Sequence, residues 1–126
     1  MFELTVRDHT MIAHSLPDPF FGPAARLHGA TLVAEVCWSR ADLDDHGVVV
    51  DIGEASARVR EVLADLDYRN LDEHPSFAGR FSTTEEIARH IAERLVALMH
   101  LTGFSALSVT LREHPDAWAT YRVALE

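Results

Sequence analysis

A chain of 126 residues with 48% hydrophobic and 25% charged residues has the size and composition of one globular domain, residues 1–126, and is unlike a disordered chain. Its formal net charge of −9 sets it against phosphate backbones and anionic lipid surfaces, so neither nucleic acid nor a membrane is an expected partner. A single cysteine, Cys37, leaves no internal disulfide, and no apolar run approaches a membrane span or opens the chain as a leader, so a cytoplasmic location is expected.

Residues 2–8, FELTVRD, set Phe2, Leu4 and Val6 against Glu3, Thr5 and Arg7, the period-two pattern of a strand with one buried face, and TMIAHSL (10–16) continues it. DPFFGPA (18–24), with two prolines and a glycine, predicts a loop. From Thr31 to Trp38 a second strand places Leu32, Ala34, Val36 and Trp38 on one face and Thr31, Val33, Glu35 and Cys37 on the other. After the turn-like DLDDHG (42–47), Ala55, Val59, Val62, Leu63 and Leu66 fall at helical spacing and predict a first helix over 54–66.

The segment 68–81 has a proline, a glycine and no sustained period, so it is expected to be a loop. A second helix over 82–100 carries the stripe Ile87, Ile91, Leu95 and Leu98 behind an N-terminal capping signal, with Gly103 expected to end it. Two further strands, 105–113 and 117–126, align Leu107, Val109 and Leu111, then Ala119, Tyr121, Val123 and Leu125, around a hinge at His114, Pro115 and Asp116. Strands grouped at both ends with helices between them predict an α+β fold of ββααββ order, an antiparallel sheet of four strands with two helices on one face. Two open sheet edges then invite pairing with another subunit.

Six stretches in order, TMIAHSL (10–16), LHGATLVAEV (27–36), VVVDIGEA (48–55), LADLDYRNLDE (63–73), STTEEIARHI (82–91) and SVTLREH (108–114), resemble the 6-pyruvoyl-tetrahydropterin synthase family, which includes the 6-carboxy-tetrahydropterin synthases. The resemblance implies a T-fold whose subunits close a trimeric barrel, with two trimers stacked into a hexamer and sites between subunits. It also implies a zinc site of three histidines, of which His14 and His28 are present while Ala30 occupies the third position. Catalytic zinc ordinarily keeps three protein ligands and one open position, so His14 and His28 are expected to be remnants, with no bound metal or other cofactor. His9 and His46 lie nearby without a motif to support them.

The implied catalytic cysteine is Ala24 here, and the implied Asp-His pair is Asp67-Tyr68. A tyrosine, with an ordinary pKa near 10, cannot replace an imidazole as a proton shuttle at neutral pH, so Asp67 and Tyr68 are candidate catalytic residues only for different chemistry. The family's pterin anchor corresponds to Thr83, Thr84, Glu85 and Glu113. A carboxylate can accept two parallel hydrogen bonds from a pterin ring N–H and its neighbouring amine. Two bland readings stand beside this: Ser82–Glu85 and Thr83–Glu86 each fit a capping box, and Glu113 suits a solvated strand end.

Three functions follow as alternatives. The first is a homologue without the zinc site and the Cys/His relay, which binds a pterin-like heterocycle without the usual synthase activity. The second is a metal-free enzyme on a pterin-like or deazapurine-like substrate, with protons moved by Asp67, Tyr68 or His28. The third is a scaffold or partner subunit with a vestigial pocket.

Overall fold

The computed structural model describes residues 1–125. Its elements in chain order are β1 (Phe2–His14), β2 (His28–Arg40), α1 (Ile52–Ala64), β3 (Arg69–Asn70), α2 (Thr84–Leu98), β4 (Ala106–His114) and β5 (Ala117–Ala124). Short 3-10 segments occupy Pro19–Ala25, Leu71–Glu73 and Pro75–Phe77.

The four long strands are antiparallel, and their centre is the row Val6, Val36, Val109 and Tyr121 paired across β1, β2, β4 and β5. The expected four-stranded antiparallel sheet is corrected by a fifth strand. The two residues of β3 run parallel to β1, opposite Ile12 and Ala13, so the sheet is mixed with order β3-β1-β2-β4-β5 and the element order is ββαβαββ. The Tyr68 backbone N–H, which donates to the Met11 carbonyl at 2.7 Å, ties the segment to β1. Two residues are too few to display a period of their own.

Leu32, Ala34, Val36, Trp38, Leu107, Val109 and Leu111 turn one face of the sheet inward, all essentially solvent-free. Against it pack Ala55, Val59, Val62 and Leu63 of α1 and Ile87, Ala88, Ile91, Ala92 and Leu95 of α2. Full burial of each Val, Leu or Ile side chain among them contributes about 1.5–3 kcal/mol. The opposite face carries a polar row, in which Arg112 reaches Glu35 at 3.2 Å and stacks 4.1 Å over the Trp118 ring.

Helix boundaries follow their caps rather than the apolar stripes. Helix α1 starts three residues before its stripe, at Ile52, because the Asp51 side chain accepts from the Glu54 backbone N–H at 2.8 Å. Gly103 does not end α2. The helix stops at Met99, whose extended backbone (φ −119°, ψ 151°) returns Met99 and Leu101 to the core, and Gly103 (φ 88°) turns the chain into β4. The segment 68–81 is ordered by β3 and two 3-10 turns, with Asn70 and His74 as caps.

This segment also delivers a buried histidine pair. The His74 ring is 4% exposed; its Nδ1 accepts from the Ser76 N–H at 3.0 Å, so Nε2–H donates to Asp65 at 2.8 Å. His90, 7% exposed, packs 6.0 Å from the His74 ring and 5.2 Å from Phe77, and its Nε2 has no hydrogen-bond partner. Burial, followed by the neighbouring His74, lowers the His90 pKa below its ordinary 6.5, although Asp65 opposes the shift. Below pH 6.5 the unfolded chain therefore takes up a proton that the folded chain resists. This stabilisation is complete above pH 6.5 and is lost as pH falls toward the depressed folded value. The unfolding midpoint is expected to drop as buffer pH is lowered from 7 to 5, and His90→Leu to flatten that slope in a series of thermal melts.

Candidate functional site

Alternation decides which side chains meet beyond the core. Even positions of β1 up to His14, even positions of β2 from His28, and odd positions of β4 up to Glu113 all lie on the helix-covered side of the sheet. His14 and His28 are direct partners across the β1–β2 ladder, and Glu113 extends the row Leu107, Val109, Leu111 on the adjoining strand. The start of α2 closes over this corner through Ser82 and Thr84.

Each side chain is held by a second group. His14 is 1% exposed, and its Nδ1 lies 2.9 Å from the Ser82 carbonyl and 3.1 Å from the Ser82 hydroxyl. His28 Nδ1 lies 2.7 Å from the Arg26 carbonyl. A carbonyl only accepts, so both Nδ1 atoms carry a hydrogen, and in the neutral form of each ring Nε2 keeps a lone pair. The rings meet edge to face with centroids 4.6 Å apart. Thr84 donates its hydroxyl to Glu113 Oε2 at 3.0 Å, and Glu113 Oε1 lies 3.3 Å from His14 Nε2. That last contact is close but off the line of a hydrogen bond, and His14 Nε2 has no hydrogen-bond partner. The His14 imidazole first, then the Thr84 hydroxyl, hold the Glu113 carboxyl below the usual carboxylate range against the opposing effect of burial.

The other residues singled out from the sequence divide between this corner and elsewhere. Thr83 is the N-cap of α2, its side chain accepting from the Glu86 N–H at 3.2 Å, so the capping reading describes Thr83 and the anchoring contact belongs to Thr84. Glu85 is exposed, and with Thr84, Glu113, His114 and Trp118 it lines a shallow concavity of about 180 Å³. A larger cavity of about 530 Å³, between Pro17, Phe77, Arg80 and Phe81, shares Ser82 with the histidine corner.

Asp67 lies elsewhere. Its Oδ1 accepts from the Thr10 hydroxyl at 2.9 Å and the Met11 N–H at 3.1 Å, which joins the end of α1 to β1 and lowers its pKa, the Met11 N–H contributing most. Tyr68 is 80% exposed with φ 58°, and within one chain neither residue contacts His14, His28 or Glu113. His9 projects to solvent beside Asp8, His46 sits in the 42–47 turn, and Cys37 lies on the opposite face of β2; none joins the corner.

Three imidazoles cannot be assembled here, because Ala30, opposite Ile12, offers no donor atom. The donors present are two imidazole nitrogens and a carboxylate oxygen, one atom from each side chain, all within 4.8 Å of one another. With a buried, unpartnered nitrogen among them, this set fits a divalent ion of the zinc class. Counting histidines alone leaves Glu113 out. The signal that includes it is strand parity, since 14, 28 and 113 share one face.

Comparison with known proteins gives one consistent result. A family model described as 6-pyruvoyl tetrahydropterin synthase matches residues 3–124. The chain is 29% identical over 127 residues to a 6-carboxy-5,6,7,8-tetrahydropterin synthase of Bacillus subtilis (strain 168), covering 96% of this chain and 85% of that one. Its structure is similar to that of a Caenorhabditis elegans 6-pyruvoyl tetrahydropterin synthase, with TM-score 0.82, 26% identity and coverage of 98% and 96%. The Plasmodium vivax 6-pyruvoyl tetrahydropterin synthase shares the fold, with TM-score 0.81, 20% identity and 98% coverage of both chains.

The division between the two threonines is testable. Thr83→Ala is expected to lower the unfolding free energy by about 1 kcal/mol in denaturant titrations, the usual cost of a lost cap. Thr84→Val is expected to cost less, because it removes only a rim contact, and to raise the Glu113 pKa toward its ordinary value, as read by carboxyl NMR titration.

Proposed function

The chain belongs to the 6-pyruvoyl tetrahydropterin synthase family, and on that premise we propose that it binds a pterin-like planar heterocycle without performing the usual synthase reaction. The observation that carries this is Glu113: its carboxylate is steered into the concavity by Thr84 rather than left to sweep through solvent. A carboxylate has about four acceptor positions, and the edge facing the concavity is free to take two parallel N–H donors from a flat ring. Glu85 and Thr84 border the same space, and Thr83 holds the helix start that positions them.

The chemistry of the reaction has less support. Ala24 supplies no thiol, Ala30 no third imidazole, and Tyr68 is turned to solvent where the resemblance places a proton-relay histidine. Asp67 is engaged with the β1 backbone. A metal-free enzyme using Asp67, Tyr68 or His28 is therefore the weaker alternative, and a scaffold with a vestigial pocket does not account for the Thr84–Glu113 contact.

The same reading includes a single domain over 1–126 and a homohexamer of two stacked trimeric barrels with sites between subunits. In its favour, the eight-residue edge strand β5 has an unpaired outer side, which β-sheet proteins ordinarily cover. The location is cytoplasmic and the partner is a small molecule rather than nucleic acid, consistent with the net charge of −9. Among the described residues no helix is long and apolar enough to cross a membrane.

Titration with pterin and 6-substituted pterins, followed by quenching of pterin fluorescence, is expected to saturate for the native chain and to lose saturation in Glu113→Ala. Turnover in the relatives' synthase assay is expected to stay at background. A response indifferent to Glu113→Ala, or turnover well above background, would overturn the reading.

A further inference from the structure

We infer that His14, His28 and Glu113 form a site for a divalent cation of the zinc class, with two imidazoles and one carboxylate as its ligands. The proposal extends to the residue that the ring-binding reading reserves for a heterocycle, but it does not depend on any ring.

Four observations converge on it. The first is the orphan. His14 Nε2 is buried and without a hydrogen-bond partner, keeps a lone pair in the neutral ring because Nδ1–H faces the Ser82 carbonyl, and meets a carboxylate oxygen at 3.3 Å. Two acceptors at that distance repel one another unless something positive lies between them, either a proton on the imidazole or a metal ion.

The second is the spacing. In a tetrahedral site with bonds of about 2.0–2.1 Å, neighbouring ligand atoms are about 3.3–3.4 Å apart. The His14–Glu113 pair already has this separation. The full set lies within 4.8 Å, so His28 closes by a side-chain adjustment rather than a backbone movement.

The third is that every ligand has an outer partner. The Ser82 and Arg26 carbonyls fix the two imidazole tautomers with Nε2 as the donor atom, and Thr84 holds the distal carboxylate oxygen, leaving Oε1 toward the imidazoles. Outer hydrogen bonds of this kind orient metal ligands and raise their basicity. A histidine pair kept only for packing does not call for both tautomers to be set in the same sense.

The fourth is the donor chemistry. Imidazole nitrogen with one carboxylate suits zinc and its transition-metal neighbours, whereas calcium and magnesium favour all-oxygen sets. Three protein donors leave one position of a tetrahedral ion open. Ala30 presents only a methyl group on this face of β2, so the carboxylate of β4 has room to act as the third ligand.

The test uses tag-free protein stripped with a chelator and dialysed, then titrated with zinc chloride against a competing chromophoric chelator, with no pterin present. One zinc per chain is expected, together with a rise in unfolding midpoint, because an ion that binds only the folded chain stabilises it. Glu113→Gln, a change at the rim that leaves the core intact, is expected to weaken zinc by at least about a hundredfold, beyond the ten- to hundredfold typical of losing an outer partner. Ala30→His in the Glu113→Gln background is expected to restore affinity by returning a third donor. Circular dichroism of each variant confirms the fold.

Absence of saturable zinc binding to the native chain overturns the inference, and so does one zinc per chain held equally well by Glu113→Gln. Pterin saturation in stripped protein with no zinc uptake would leave ring binding standing and remove the metal site. Zinc uptake sensitive to Glu113 with no pterin response would do the reverse.

Discussion

Three polar side chains are committed to the covered side of the sheet by the same alternation that buries Leu32, Val36 and Val109. Once β1 and β2 pair with Val6 opposite Val36, His14 and His28 have no freedom left in which way they point, while Glu113, at the irregularity between Arg112 and His114 beyond the β2–β4 ladder, is held by Thr84. A slip of one residue would turn both imidazoles outward, but it would also expose the core rows. The corner is therefore fixed by the energetics of the core, several residues away from any chemistry.

Burying such groups is costly unless they are bonded, and the structure meets that cost mainly with backbone. The Arg26 carbonyl comes from the chain just ahead of β2, and the Ser82 carbonyl from the residues that lead into α2. Because the helix start supplies a carbonyl to His14, a cap through Thr83 and a hydroxyl to Glu113 through Thr84, three consecutive residues do three different jobs. The stability of α2 and the geometry of the corner are consequently coupled. What disturbs the first turn of the helix also disturbs the imidazole beneath it.

The long periodic elements were legible in the sequence because their periods repeat several times. The four long strands, both helices and the inward row of Leu107, Val109 and Leu111 are where alternation and the 3.6-residue stripe place them. The two residues of β3 were not legible, since their pairing depends on a backbone bond from Tyr68 to β1 rather than on side-chain pattern. Gly103 misled for a related reason: the burial of Met99 and Leu101 ends α2 in an extended turn before the glycine is reached. At the corner, each residue was visible singly, yet their association was not, because a carboxylate assigned to a ring was left out of the donor count. Ser82, which bonds His14 from the neighbouring element, carries no sequence signal beyond its place before a helix.

Ala30 links the two halves of the cleft. With an imidazole at that position the metal donors would be complete within β1 and β2, and the carboxylate of β4 would be left to a ring alone. With a methyl there, Glu113 is the carboxylate within reach of His14 Nε2, so the group proposed to receive a flat heterocycle is also the group proposed to complete the cation site. On the two proposals, an ion held at Oε1 leaves that oxygen a single lone pair for a ring N–H, so an ion in the corner and a ring in the concavity would compete through one side chain.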